Sequence, residues 1–164
     1  MREAARRQRN LERLQQLHPR FARRVQAVID ELESEGWRPR IQDAWRSPEA
    51  QRAAFDAGHS RLRFGFHNLC TADGHPEALA VDLLDDDSAL NPGRAYLLRL
   101  AAAAEAAGLE SGIRWGLPPA LARAIDEAVA SRDWSAPVKL GWDPMHLQPA
   151  GLTLAQARAG RRPG

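Results

Sequence analysis

The segment "ALAVDLL", residues 78–84, is an apolar run interrupted by one acid, Asp82. Its length and the preceding "TADG" turn signal predict a β-strand. Side chains alternate between the faces of a strand, so Asp82 shares one face with Ala80 and Leu84 while the other face is wholly apolar. Burying a carboxylate is costly unless it is paired or binds a metal. Asp82 is therefore either a paired or metal-binding acid inside the fold, a residue on an exposed face, or a cap on a neighbouring element.

Helices and further strands surround this segment in an order typical of a small α+β domain. An amphipathic pattern predicts a helix over residues 10–35, divided at Pro19 and ended by Gly36. Ser47 as N-cap and Pro48 at the first helical position predict a second helix, up to residue 58. Further helices are predicted at 92–108 and 118–131, and extended segments at 37–45 and 136–149, the last as two strands joined by a turn. This order predicts a small, mostly antiparallel sheet flanked by helices.

Length and composition predict one soluble domain over residues 1–164. The chain is 44% hydrophobic and 27% charged, and no apolar run approaches the roughly 20 residues that span a bilayer. The N-terminal "MREAARRQRN" lacks the apolar region of a Sec signal peptide, so we expect synthesis in the cytoplasm. A single cysteine, Cys70, excludes an internal disulfide framework and a Cys-rich zinc finger. We expect a monomer that does not insert into membranes.

Arginine is concentrated near both ends of the chain although the net charge is only +2. We predict flexible basic ends over residues 1–9 and 157–164. They indicate either attraction to a polyanion, such as nucleic acid, a membrane surface or an anionic cell-wall polymer, or simply solvated helix faces. No aromatic residues are interleaved with these arginines, so we expect no specific nucleic-acid partner.

Three of the five histidines, His67, His75 and His146, lie in irregular or strand segments near Asp82. Two imidazoles and one carboxylate are normal zinc ligands and leave a fourth position open, as catalytic zinc sites require. In "GWDPMHLQP", residues 141–149, Asp143 precedes His146 by three residues. Residues three apart on a straight strand face opposite sides, so only a bend would bring both side chains to one site. The alternative is a plain Asp-Pro turn with a histidine satisfied elsewhere.

The motifs "AWRSPEAQ", "FHN", "ALAVDL" and "WDPMHLQ" follow one another between residues 44 and 148. Together they resemble the zinc peptidases of bacterial cell walls. This family includes the VanX and VanY D-alanyl-D-alanine peptidases and the L-alanyl-D-glutamate endopeptidases of phage endolysins. Its pattern is an arginine in a "YRS"-like motif, a histidine, an "AxD" strand, and an acid three residues before a final histidine. "SGIRWGLP" and "VKLGWDPMH" look most like the phage-associated branch.

The resemblance implies one zinc ion bound by Asp82, His146 and a third, upstream histidine. In the common pattern that histidine lies seven residues before the aspartate, which is His75 here. The "FHN" context instead matches His67, with "LCTADGHP" as an inserted turn. We favour His67.

The remaining site residues also follow from the resemblance. Asp143 matches the general base, and Arg46 matches the arginine that binds substrate near the scissile carbonyl. Trp142 is expected to line the substrate cleft, and Trp45 to line it or to pack in the core. The expected substrate is a peptidoglycan stem peptide, cut as by an L-alanyl-D-glutamate endopeptidase after phage lysis or secretion. The alternatives are a D-Ala-D-Ala carboxypeptidase or dipeptidase, and a non-catalytic wall-binding module of the same fold.

Overall fold

Four strands form one sheet in the computed structural model, which describes residues 1–88 and 91–164. The strands are β1 (Pro39–Asp43), β2 (Val81–Asp85), β3 (Leu109–Gly112) and β4 (Asp143–Pro149). Their order is β1-β2-β4-β3, and every neighbouring pair is antiparallel. The strand predicted around Asp82 is therefore an inner strand of the sheet.

Helices of the described residues accompany this sheet, and the predicted α+β class is confirmed. They are α1 (Glu3–Leu14), α2 (Pro19–Ser34), α3 (Pro48–Asp56), α4 (Arg94–Ala106), α5 (Pro119–Ser131) and α6 (Leu154–Arg158). The predicted break before Pro19 separates α1 from α2, because proline lacks the amide donor that a continuous helix needs. None of these helices combines the length and apolarity required to cross a bilayer.

The hydrophobic core lies where α2 and α4 pack together against the sheet. Val81 and Leu83 of β2 are fully buried there. Tyr96 of α4 is also fully buried, and its hydroxyl donates to the Leu83 carbonyl at 3.1 Å. Asp82 lies between Val81 and Leu83 in β2. Because side chains alternate along a strand, Asp82 points away from this core and toward the cleft that contains the metal cluster.

Two parts of the predicted strand pattern are wrong. Residues 136–142 form no strand, and Pro137 explains this because it has no amide to donate to a ladder. Strand β3 was not predicted, because "LESG" is short and mostly polar and follows a helix at Gly108. Among the strands of the described residues, it pairs with β4 alone.

The basic segments at both ends of the chain form hydrogen bonds with the rest of the domain. Residues 3–9 belong to α1, where the buried Arg6 donates to the Pro39 carbonyl at 2.6 Å and to Glu33 Oε1 at 2.8 Å. In the tail, Arg162 Nε donates to Glu77 Oε2 at 2.8 Å. Both basic ends are thus tied to the domain by specific hydrogen bonds.

Candidate metal centre and cleft

His67, Asp82 and His146 come together from three segments. Asp82 of β2 and His146 of β4 are direct partners in the antiparallel ladder. His67 lies in a 3₁₀ turn, Phe66–Asn68, which precedes β2. One donor atom from each of the three residues lies within 4.8 Å of the other two, and we refer to these residues as the metal cluster.

Backbone hydrogen bonds hold the turn that carries His67. The Leu79 amide donates to the Phe66 carbonyl at 3.0 Å, and the Arg46 amide donates to the His67 carbonyl at 2.9 Å. The buried Asn68 side chain donates to the Arg46 carbonyl at 2.8 Å. The first histidine is therefore fixed to the segments that carry Asp82 and Arg46.

Hydrogen bonds at the far side of each ring fix which nitrogen faces Asp82. The His67 Nδ1 donates to the Ala44 carbonyl, so in the neutral imidazole Nε2 is the unprotonated nitrogen, and it lies 3.6 Å from Asp82 Oδ1. His146 Nε2 lies 3.1 Å from Gln148 Oε1, which leaves Nδ1 facing Asp82 Oδ1 at 3.3 Å. Gln148 is itself oriented, since its Nε2 donates to Glu110 Oε1 at 2.6 Å. Such outer partners commonly orient metal-binding histidines.

The electrostatics of the cluster favour a cation at its centre. Burial alone would raise the pKa of Asp82, but hydrogen bonds and charge from His146 and His67, when these rings are protonated, hold it well below its usual range. Burial alone would lower the pKa of His67, but the Asp82 carboxylate outweighs it and raises that pKa. Positive charge is therefore stabilised here. Two imidazole nitrogens and a carboxylate oxygen form a donor set that fits zinc.

His75 lies apart from this cluster. Its side chain is 75% exposed, and its Nδ1 lies 3.0 Å from Asp73 in the turn that precedes β2. Of the two histidines that the sequence offered, the structure groups His67 with Asp82 and His146.

Asp143 reaches the cluster through an irregularity in β4. Ser111 of β3 pairs with Leu147, but the next residue, Gly112, pairs with Asp143. Three residues of β4, 144–146, therefore bulge out of the ladder that β4 forms with β3. The bulge places Asp143 Oδ2 at 3.9 Å from His146 Nδ1. The bend expected within "DPMH" is therefore present, and it takes the form of a bulge.

Close backbone contacts around this bulge require glycine. A Cβ at Gly112 would lie 2.2 Å from the Asp143 carbonyl oxygen, and one at Gly141 would lie 2.6 Å from the Trp115 amide nitrogen. The Trp142 amide donates to the Trp115 carbonyl at 3.1 Å, which ties the two segments together. These contacts fix Asp143 beside the cluster.

The environment of Asp143 disfavours the charged form of its carboxylate. Its pKa is raised, first by burial, which disfavours the charged carboxylate. The charges of His146 and His67 oppose this shift, and the negative charge of Asp82 adds to it.

Arg46 is held in position at the edge of the same site. Its guanidinium forms an ion pair with Asp43, and its Nη1 donates to Gln51 Oε1 at 2.9 Å. Gln51 is only 3% exposed and also donates to Ser60 Oγ at 2.7 Å. Three of the five Arg46 N–H donors are thus used by the protein, which leaves two for a ligand. Sequence reasoning missed Asp43 and Gln51 as partners, although both lie within five residues of Arg46.

A cleft of about 410 Å³ contains the metal cluster, Asp143 and Arg46. Trp142 and Trp115 line this cleft, and Trp115 was not identified from the sequence. The two indole rings lie 5.3 Å apart, and the Trp115 ring lies 5.1 Å from that of His146. Trp45 instead packs against the hydrophobic core.

Comparisons with known proteins give one type of match. No protein-family model matches the chain, and no curated protein sequence matches it. Among solved structures, the chain is similar to the L-Ala D-Glu endopeptidase ChiX of Serratia marcescens, with 21% sequence identity and a TM-score of 0.51. The match covers 91% of this chain and 90% of ChiX. The chain therefore shares the fold of ChiX along nearly its whole length.

Proposed function

We propose that the protein is a zinc-dependent peptidase that hydrolyses peptidoglycan stem peptides, between L-alanine and D-glutamate. The observation that carries this proposal is the placement of an acid with a raised pKa, Asp143, beside a two-histidine, one-carboxylate cluster in an open cleft. A site that binds a metal only for stability needs no such acid. The fold shared with ChiX, whose name states this activity, supports the choice of bond.

Five residues of the cleft have roles in this reaction. His67, Asp82 and His146 would hold the zinc ion, which when bound would supply a water of lowered pKa, about 7, and polarisation of a carbonyl. Asp143 takes the proton from the attacking water and delivers it to the amine that leaves.

Arg46 stabilises the negative charge that develops on the carbonyl oxygen. The bonds to Asp43 and Gln51 hold the guanidinium in place with two N–H donors free, so little reorganisation is needed as the charge forms. A guanidinium suits this role because it stays charged at all working pH values.

Mass spectrometry of purified peptidoglycan tests the proposal. The digest is run with the zinc-loaded protein, with the protein treated with a chelator, and with zinc restored after chelation. We expect new termini at L-Ala and D-Glu that vanish with the chelator and return with zinc.

Other outcomes would change the assignment. Release of a terminal D-alanine would replace the endopeptidase with a carboxypeptidase. New termini that persist after complete zinc removal would refute metal dependence. No new termini from fully zinc-loaded protein would refute the peptidase proposal and leave wall binding as the function.

A further inference from the structure

Arg61 lies at the outer end of an aromatic wall that begins at the metal cluster. The wall runs from the His146 ring to Trp115 and then to Trp142. The guanidinium carbon of Arg61 lies 4.5 Å from the centre of the Trp142 ring, and both residues line the cleft. Trp142 directly precedes Asp143 in the chain. The contact between Arg61 and Trp142 therefore ties Arg61 to the segment that carries the proposed general base.

The charges of the cleft leave Arg61 without a partner. A divalent ion would compensate the carboxylates of Asp82 and Asp143, and Arg46 is already paired with Asp43. Within residues 1–88 and 91–164, Arg61 makes no ion pair, and its guanidinium instead stacks on Trp142. A permanent cation stacked on an aromatic face and open to the cleft is suited to bind a carboxylate of the substrate.

We propose that Arg61 determines specificity by binding the free α-carboxylate of the residue whose nitrogen leaves the scissile bond. This inference rests on the proposed function. A D-glutamate joined onward through its side-chain carboxyl presents such an α-carboxylate, and so does a terminal D-alanine. Stacking on Trp142 restricts the guanidinium before substrate binds, which lowers the entropic cost of forming a bidentate pair.

Two pairs of synthetic peptides test this role and separate the two carboxylate sources. The first pair is L-Ala-D-Glu joined through its side chain to L-Lys, with the D-Glu α-carboxylate either free or converted to the carboxamide. The second pair is an L-Lys-D-Ala-D-Ala peptide with its terminal carboxylate either free or converted to the carboxamide. Each peptide is given to the zinc-loaded wild type, Arg61→Gln and Arg63→Gln proteins, with zinc content measured for each.

Arg63→Gln is the matched control. Arg63 is an exposed arginine in the same loop, but its guanidinium lies 5.0 Å from the Phe55 ring and it does not line the cleft. For the wild type and Arg63→Gln, we expect kcat/KM to favour the free carboxylate of the first pair by about tenfold, the scale of one hydrogen bond to a charged group. For Arg61→Gln, we expect KM to rise for the free-carboxylate peptide, so that the preference vanishes. For the carboxamide peptide, we expect Arg61→Gln and the wild type to have the same kcat/KM.

The remaining outcomes separate the inference from the proposed function. The wild type could instead prefer the free carboxylate only in the second pair of peptides, and Arg61→Gln could lose that preference. This outcome would support the carboxylate-binding role of Arg61 but would replace the endopeptidase with a carboxypeptidase. Equal cutting of free and amidated peptides by the wild type, or a preference that survives in Arg61→Gln, overturns the role of Arg61 while the peptidase stands. No cutting of any peptide by zinc-loaded protein overturns both.

Discussion

Two of the clusters of buried charged groups among the described residues, one around Arg6 and the other the metal cluster, differ in how completely their hydrogen-bonding groups are satisfied. In the first, Arg6 donates to the Pro39 carbonyl, to Glu33 and to Glu3, so its guanidinium meets oxygen acceptors on several sides. In the metal cluster, the outward-facing ring nitrogens are bonded, but the inward-facing nitrogens of His67 and His146 meet the Asp82 carboxylate, which is also an acceptor.

This difference separates a structural cluster from a functional one. Four of the five Arg6 N–H donors have acceptors inside the protein and the side chain is buried, so this cation stabilises the fold and is not open to a ligand. Three acceptors directed at one point need a cation between them. We therefore expect changes at Arg6 to alter stability and changes around the metal cluster to alter metal binding and catalysis.

The largest effect is expected at Asp143. Asp143→Asn keeps the shape of the side chain but removes the proton acceptor, so kcat should fall by about 10²- to 10⁴-fold, the usual contribution of a general base. Bound zinc, measured by mass spectrometry of the intact protein, should remain at one ion per chain because Asp143 is not one of its ligands. A variant that loses its zinc, or one that retains wild-type kcat, would contradict the role of Asp143.

The residues of the metal cluster could be identified from the sequence, but the backbone geometry that brings them together could not. Asp82 was visible because an acid inside an apolar strand is anomalous. The approach of Asp143 to His146 depends on a bulge against β3, and a strand as short as β3 has no clear periodic signal. The hydrogen bond between Gln148 and Glu110 could not be predicted for the same reason, because Glu110 lies in β3. Arg61 and Trp115 face the cleft because of long-range loop contacts that local sequence patterns do not encode.

Zinc should stabilise the wild-type protein strongly. A ligand that binds only the folded state at 100 times its Kd adds about 2.7 kcal/mol to the free energy of unfolding. Thermal unfolding with and without zinc should show this as a raised Tm. Asp82→Asn removes the one negative charge among the three ligands, so its Tm should not respond to the same zinc concentration. An equal rise in both proteins would place the zinc elsewhere.

Arg6→Leu should destabilise the fold without a direct effect on the cleft. The substitution removes the donor at 2.8 Å from the Glu33 carboxylate and leaves the Pro39 carbonyl with Asn10 Nδ2 as its donor, at 3.0 Å. We expect a loss of about 2–3 kcal/mol, because hydrogen bonds to charged groups contribute on this scale. Urea unfolding measures the loss, and kcat of the folded fraction should stay at the wild-type value. A lowered kcat with unchanged stability would reverse the distinction between the two clusters.

Gln148→Leu tests the outer partner of the metal cluster. Without Gln148 Oε1, the His146 ring loses the acceptor that fixes Nδ1 toward Asp82, so zinc affinity should fall by about 10- to 100-fold. Competition with a chromophoric chelator measures this change. Gln26→Leu is a suitable control, since Gln26 is bonded to Asp30 on α2 and does not line the cleft. Equal zinc affinity in all three proteins would show that the ring is oriented by packing alone.

The smallest effect is expected at Glu3, on the exposed side of the Arg6 cluster. Hydrogen bonds from Arg6 and Arg7 lower the pKa of Glu3 from 4.5 to about 2. Because the folded-state pKa is depressed, the stabilisation is present above pH 4.5 and is lost as the pH falls through about 2. Between these values the free energy of unfolding should therefore fall less steeply for Glu3→Gln than for the wild type. Glu127→Gln, at an exposed acid without an ion pair among the described residues, should keep the wild-type slope. The gap between the Glu3→Gln and wild-type slopes should shrink in high salt, since the ion pair is reached by solvent and is screened.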